Sequence, residues 1–179
     1  NRQIHTPHMD QIGKQGAVFT NAFVATPVCS PSRATFLSGR FPTELKITDW
    51  ISSEEAQEGT GLTEMTWPEV LQQHGYQTAL IGKWHLGELN QFHPHEKGFG
   101  HFMGFLAGGT RPMNPTLEMK GETQKRKGSL PDLLVDDAIN FIRTSKDKPF
   151  ALCLHFRAPH TPYGPVPEQD SAHYEGMNI

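Results

Sequence analysis

Thr66-Trp67-Pro68-Glu69-Val70-Leu71-Gln72-Gln73, followed across His74-Gly75 by Tyr76-Gln77-Thr78-Ala79-Leu80-Ile81 and then by Gly82-Lys83-Trp84-His85-Leu86-Gly87, is the run that decides the fold. Thr66 with Pro68 just behind it opens a helix, because proline's fixed φ suits the first helical turn, and Gly75 lies just past the helix end. Tyr76 to Ile81 is apolar and β-prone, as a buried strand should be. Polar residues, Lys83 and His85, wait at the strand's C-terminal end. Helix, short turn, buried strand, polar terminus is the unit of an α/β fold.

The same order recurs on either side. Leu130 to Thr144 spaces Leu133, Leu134, Ala138, Ile139 and Ile142 as a helix does, with Pro131 at an acceptable early position. Lys148-Pro149 separates it from a strand over Phe150 to Phe156, which delivers Arg157-Ala158-Pro159-His160. Towards the N-terminus, Thr6-Pro7 starts a short helix that Thr6 can cap, with Met9 and Ile12 facing inward and Gly16 closing it in a left-handed conformation. Ala17 to Ala25 alternates enough to predict a strand. Thr26-Pro27 breaks it, and a helix from about Pro31 to Leu37 follows before Gly39, so Cys29 falls in a strand-to-helix turn. Residues 42–66 read as an excursion loop, and 88–128, rich in Gly and Pro, resist assignment. The charged Lys120 to Lys127 segment reads as solvated loop. The expected architecture is a central mixed, largely parallel sheet flanked by helices, with polar groups at the strand ends where open sheets hold their ligands.

Length and composition narrow the function. A chain of 179 residues with 36% hydrophobic and 20% charged residues and a formal charge of −3 suits one domain. It offers no electrostatic case for nucleic acid or an anionic membrane surface. No apolar run approaches the roughly 20 residues of a membrane span. The two cysteines, Cys29 and Cys153, cannot make a disulfide framework. The chain opens at Asn1 without an initiator methionine or visible signal and is read as an internal piece of a longer protein.

The chemistry starts at Cys29-Ser30-Pro31-Ser32-Arg33, running on to Leu37-Ser38-Gly39-Arg40. A cysteine and an arginine four positions apart at a helix start set a reactive side chain beside a fixed cation. With Lys83, His85 and His160 at other strand ends, the set suits an ester of a strong oxyacid. Cations hold the equatorial oxygens, and an acid serves the leaving alkoxide. The helix after Cys29 adds backbone N–H groups and a dipole that favour an anion.

The C-x-P-S-R core with its following L-S-G-R resembles the sulfatase family. Gly82-Lys83-Trp84-His85-Leu86-Gly87 looks like that family's G-K-W-H-L-G block, and Ala158-Pro159-His160 is similar to its A-P-H. The resemblance runs from Thr6-Pro7-His8-Met9-Asp10 to the end and implies the N-terminal, alkaline-phosphatase-like part of a sulfatase catalytic domain, lacking the first strand and the C-terminal portion. It implies that Cys29 is converted after translation, by a formylglycine-generating maturation enzyme, to formylglycine. One hydroxyl of the hydrated aldehyde would attack sulfur and displace the alcohol, and the other would collapse to the aldehyde and expel sulfate. A serine or an unmodified thiol lacks that second oxygen and would stay sulfated.

By the same resemblance Arg33 would hold the hydrate, Lys83 and His160 would contact the sulfate oxygens and serve the leaving group, and His85 would accept a proton during sulfate release. A divalent cation, usually calcium, is implied too, held through oxygen ligands. Position 29, as formylglycine, is the one place in this chain that maps onto a ligand. No Asp-Asp pair precedes Thr6, and Asp136-Asp137 sits within a predicted helix. Substrates would be sulfated small molecules or polysaccharides, and the compartment periplasmic, secreted or lysosome-like.

Other readings compete. A phosphatase or phosphodiesterase of the same superfamily would carry Ser or Thr where Cys29 stands, and a cysteine-dependent phosphatase needs a longer C-x5-R loop. A sulfatase-like binding module without turnover is the rival of a different class. Cys153 reads as core, Trp84 as packing support, and His155 as core or a support behind the site. His93-Pro94-His95 reads as proline-rich loop, because no third metal ligand is evident. His5, His8, His74, His101 and His173 carry no partner signal, and Asp136 and Asp137 are expected along the exposed helix face.

Overall fold

A computed structural model describes residues 4–177. One five-stranded sheet organises them, in the order β4-β3-β2-β1-β5: β1 is Gln77–Lys83, β2 His101–Phe105, β3 Thr116–Met119, β4 Glu122–Lys125 and β5 Phe150–His155. β1 pairs in parallel with both β2 and β5, while β2-β3 and β3-β4 are antiparallel. The sheet is therefore mixed, with its parallel part at β1 and a hairpin on one side. The helices are α1 (Pro7–Gln15), α2 (Cys29–Ser38), α3 (Pro42–Leu45), α4 (Ser53–Glu58), α5 (Trp67–Gln73), α6 (Leu130–Ser145) and α7 (Glu168–Ser171). No described helix is long and apolar enough to cross a membrane.

Strand alternation divides the core into two layers, because successive side chains leave opposite faces of the sheet. Leu80 joins Ala34 and Leu37 of α2, Trp84, Leu86, Phe99 and Cys153 on one face. Ala79 and Ile81 join Leu117 and the α6 residues Leu130, Leu134, Ala138 and Phe141 on the other. Trp84 and Cys153 are core, as their settings predict, and burial pushes the Cys153 thiol up to about 11.

Gly82 is a position where the parallel strands approach closely. Its φ is +116°, and a Cβ there would collide with the His155 carbonyl of β5. Only glycine suits both demands. The strand thereby presents Lys83, its last residue, alongside the end of β5.

Several expectations are corrected. The 17–25 segment is not a strand: no partner strand lies beside it among the described residues, and Val18, Phe19, Phe23 and Val24 are exposed. A lone alternating segment has no ladder to complete. Cys29 is accordingly the first residue of α2, after an irregular stretch. Met9 and Ile12 of α1 face solvent, and no residue of that helix is buried. Thr6 occupies the N-cap without capping, its hydroxyl donating to Asp10 Oδ1 at 3.0 Å, and Gly16 adopts φ −129° instead of a left-handed turn.

The 42–66 excursion contains α3 and α4, the latter closed by a reciprocal Ser52/Glu55 capping box. The unassigned 88–128 region supplies β2, β3 and β4, and the 120–127 charges sit on the β3-β4 hairpin, where β4 is exposed. Asp137 is no free surface carboxylate. It accepts from His101 Nε2 at 2.6 Å, giving that histidine an unexpected partner. His93 donates from Nε2 to Glu118 Oε1 at 2.9 Å.

Candidate active site

α2 carries the first two site residues. Val28 precedes it in extended conformation with no side-chain cap, so the first-turn N–H groups stay available beside Cys29, a free, half-buried cysteine. Ser30 is fully buried, and its Oγ accepts from the Ile51 N–H at 3.0 Å, which pins the helix start to the 46–52 loop. Arg33 lies one turn on from Cys29 and shares its helix face. Its Nη1 donates to the Lys83 carbonyl at 2.8 Å and contacts His155 Nδ1 at 3.0 Å. His155 Nδ1 also lies 3.2 Å from the Lys83 carbonyl, so guanidinium, ring and carbonyl form one cluster in which a bare Nδ1 accepts from Arg33 and an Nδ1–H donates to Lys83. The guanidinium thus ties α2 to the C-terminal ends of β1 and β5. Burial pushes Arg33 down to about 10, opposed by the nearby Cys29.

Lys83 is 2% exposed and forms no ion pair among the described residues. Burial above all lowers it to about 8; Cys29 opposes that shift, while Arg33 and Arg157 add to it. His85 is 5% exposed and holds φ +62°, a left-handed backbone that is strained for a residue with a side chain. Its N–H donates to the Leu106 carbonyl at 2.9 Å, and its Nε2 to the Ile51 carbonyl at 2.9 Å. That second bond fixes the tautomer and leaves Nδ1 bare, buried and without a partner. Burial, then the charge of Lys83, pushes His85 down to about 4, with Arg33 and His160 adding smaller contributions.

Cys29, Arg33, Lys83, Arg157 and His160 line one open cleft of about 450 Å³. His85 does not line it, although it feels the charges of three residues that do. His160 is exposed, and its Nδ1 donates to the Thr161 carbonyl at 2.6 Å, leaving Nε2 as the unprotonated nitrogen of the neutral ring. No acidic residue lines the cleft, and among the described residues none of its three fixed cations meets a carboxylate. Concentrated, uncompensated positive charge beside a helix N-terminus is complementary to an anion.

One contributor was not assigned from sequence: Arg157, the residue after Phe156, is seen only once the end of β5 is placed beside that of β1. His155, read from its alternation with Cys153 as core or a support behind the site, lies against Arg33 and the Lys83 carbonyl, with burial followed by the Arg33 charge pushing it down to about 4.

Among the described residues no group of three or more His, Cys, Asp or Glu side chains is arranged to hold a metal ion. Position 29 is the single candidate ligand in a cleft otherwise furnished with cations. The residues present do not by themselves fit a calcium site, and no chemical step below passes through one.

Comparison with known proteins places this geometry. The family model described as Sulfatase matches residues 1–178. The chain is 37% identical over 194 residues to "Uncharacterized sulfatase YdeN" of Escherichia coli K12, covering 93% of this chain and 34% of that protein. It is also 37% identical over 168 residues to the N-acetylglucosamine-6-O-sulfatase of Bacteroides thetaiotaomicron, covering 92% of this chain and 28% of the relative. The solved structure of Ps i-CgsB superposes with a TM-score of 0.91 at 29% identity, covering 97% of this chain and 44% of that one. The chain spans about a third of the length of the curated relatives it matches. Its fold is that of the alkaline-phosphatase-like sulfatases. With a family model covering nearly all of it and the family's three motifs at the ends of its strands and the start of α2, the chain belongs to the sulfatase family.

Proposed function

We propose that the protein of which these residues form part of the catalytic domain is a sulfuric ester hydrolase acting on a sulfated carbohydrate, through formylglycine made from Cys29 by a maturation enzyme. The single observation that carries the reading is the cleft in which Cys29, at the open start of α2, faces Arg33, Lys83 and His160 with no carboxylate among the lining residues. The sugar rests on the relatives, several of which are named for carbohydrate sulfates. We extend the family's calcium and its periplasmic, secreted or lysosome-like setting to this protein on the same ground.

The steps follow from the groups present. The formylglycine hydrate, R–CH(OH)2, attacks the sulfur of R′–O–SO3⁻ through one oxygen. The attacking hydroxyl gives up its proton to water in the open cleft, the R′O–S bond breaks, and the departing alkoxide takes up a proton, leaving R–CH(OH)–O–SO3⁻. Lys83 and His160 contact the sulfate oxygens, and that proton comes from the Lys83 ammonium, or from His160 when its Nε2 is protonated. The remaining hydroxyl then loses its proton; the family resemblance gives His85, unprotonated at neutral pH and set behind the cleft lining, as its eventual acceptor. The C=O bond forms, the C–O bond to sulfate breaks, and water re-hydrates the aldehyde. Arg33, braced by the Lys83 carbonyl and His155, keeps a cation beside position 29 throughout.

The test is mass spectrometry of position 29 in full-length protein co-produced with a formylglycine-generating enzyme, followed by assay on sulfated sugars and a chromogenic aryl sulfate. Conversion with turnover is expected, and Cys29→Ser should abolish turnover while the protein stays folded. Retained turnover in Cys29→Ser would overturn the mechanism. Unconverted cysteine, with sulfate esters bound but not cleaved, would instead identify a binding module.

A further inference from the structure

Arg157 takes part in no step above, yet its side chain is the most heavily committed in the cleft. Nη1 donates to the His160 carbonyl at 2.9 Å, and Nη2 donates to the carbonyls of Thr161 at 2.8 Å and Pro162 at 3.1 Å. The return contact is in the backbone: the His160 N–H donates to the Arg157 carbonyl at 3.0 Å. The loop has few other anchors. Pro159 and Pro162 have no N–H to give, and residues 158–163 are exposed. Besides that backbone bond and the packing of Gly164 on Pro112, what ties residues 160–162 to the scaffold is one guanidinium, rooted at the end of β5.

We propose that Arg157 is a positioning residue for the reaction: its forked guanidinium, by gathering three successive carbonyls, sets the loop conformation that keeps His160 at the mouth of the cleft. The proposal rests on the sulfatase reading for its effect on rate, but the loop's ordering can be read without turnover. A planar fork with fixed donor directions can serve carbonyls that diverge around it, whereas an ammonium concentrates its donors at one point. Lysine at this position keeps the charge and loses the clamp. The two contributions can thus be separated.

The experiment uses full-length, converted enzyme as wild type, Arg157→Lys, Arg157→Ala, His160→Ala and the Arg157→Ala/His160→Ala double variant. Formylglycine content and melting temperature are measured for each, so that failed maturation or unfolding is recognised directly. Arg157→Ala is expected to lower kcat by about tenfold to a hundredfold, with Arg157→Lys close to it. The double variant should be no slower than His160→Ala alone, because a residue that acts through another adds nothing once that other is gone. Hydrogen exchange should be at least about tenfold faster at the His160 amide of Arg157→Ala, the loop N–H that is hydrogen-bonded, and unchanged in β1. Full activity in Arg157→Lys would show that charge alone matters, and losses that multiply in the double variant would show an independent role. Either result overturns the proposal. If the converted wild type cleaves no sulfate ester, the sulfatase reading fails, and the exchange data still decide the clamp: unchanged protection at the His160 amide in Arg157→Ala refutes it.

Discussion

Lys83 is the residue whose proton matters nearest neutral pH. Burial and two arginines leave it at about 8, while His85, buried against Lys83, sits at about 4. The proposed mechanism needs the first protonated and the second not. kcat/KM should therefore fall as pH rises through about 8 and fall again as pH drops through about 4, a bell measurable with an aryl sulfate at constant ionic strength. Lys83→Met should lower kcat/KM by about 10²- to 10³-fold, the usual cost of removing charge stabilisation from a transferring group, and should erase the alkaline limb. Ser30 has a different consequence. Its hydroxyl satisfies the buried Ile51 N–H, and the neighbouring Ile51 carbonyl holds His85. Ser30→Ala should cost about 1–3 kcal/mol in denaturant unfolding by leaving that N–H unpaired. The motif made the chemistry of this stretch legible in the sequence. The structural duty of Ser30 was not legible, because its partner lies 21 residues away.

Among the elements, α5 through β1 and α6 through β5 were readable because their periodicities are long and bounded by Pro or Gly. β2, β3 and β4 were not. They are four or five residues each, set in a Gly- and Pro-rich stretch, and are strands only because β1 and one another complete their hydrogen bonds. The segment at 17–25 failed in the opposite direction, having strand-like alternation but no neighbour to pair with. Gly82 shows how an element aims a side chain. Gly82→Ala has to relax both a positive φ and a collision with the β5 backbone, which would part β1 from β5 at the level of Lys83. A lowered melting temperature together with a reduced kcat/KM is expected, measured by calorimetry and steady-state kinetics. In α2, Leu37→Ala removes a fully buried side chain from the core layer beneath the site and should cost about 2–5 kcal/mol in denaturant unfolding.

At the scale of the molecule, acid stability follows from His155, which is largely enclosed and held at about 4. Its folded-state pKa is depressed below the unfolded value, so the unfolded chain binds the extra proton first. The stability is fully present above about 6.5 and is lost as pH falls through about 4, amounting to about 3 kcal/mol. Urea melts at pH 7, 5 and 4 should show that decline, and His155→Leu should remove its share, with His85, also held at about 4, contributing a loss of the same sign over the same range. The N-terminal stretch behaves differently: Phe19 and Phe23 are 82% and 90% exposed, so replacing both with serine should change the unfolding free energy by less than about 0.5 kcal/mol while reducing self-association, read by light scattering.

A basin furnished with three cations and no carboxylate attracts the freed dianion at least as strongly as the monoanionic ester that produced it. Turnover would then be throttled by the departure of inorganic sulfate, and added sulfate or phosphate should compete with the ester. Moderate salt, by screening that grip, should speed release at saturating ester while weakening capture at low ester.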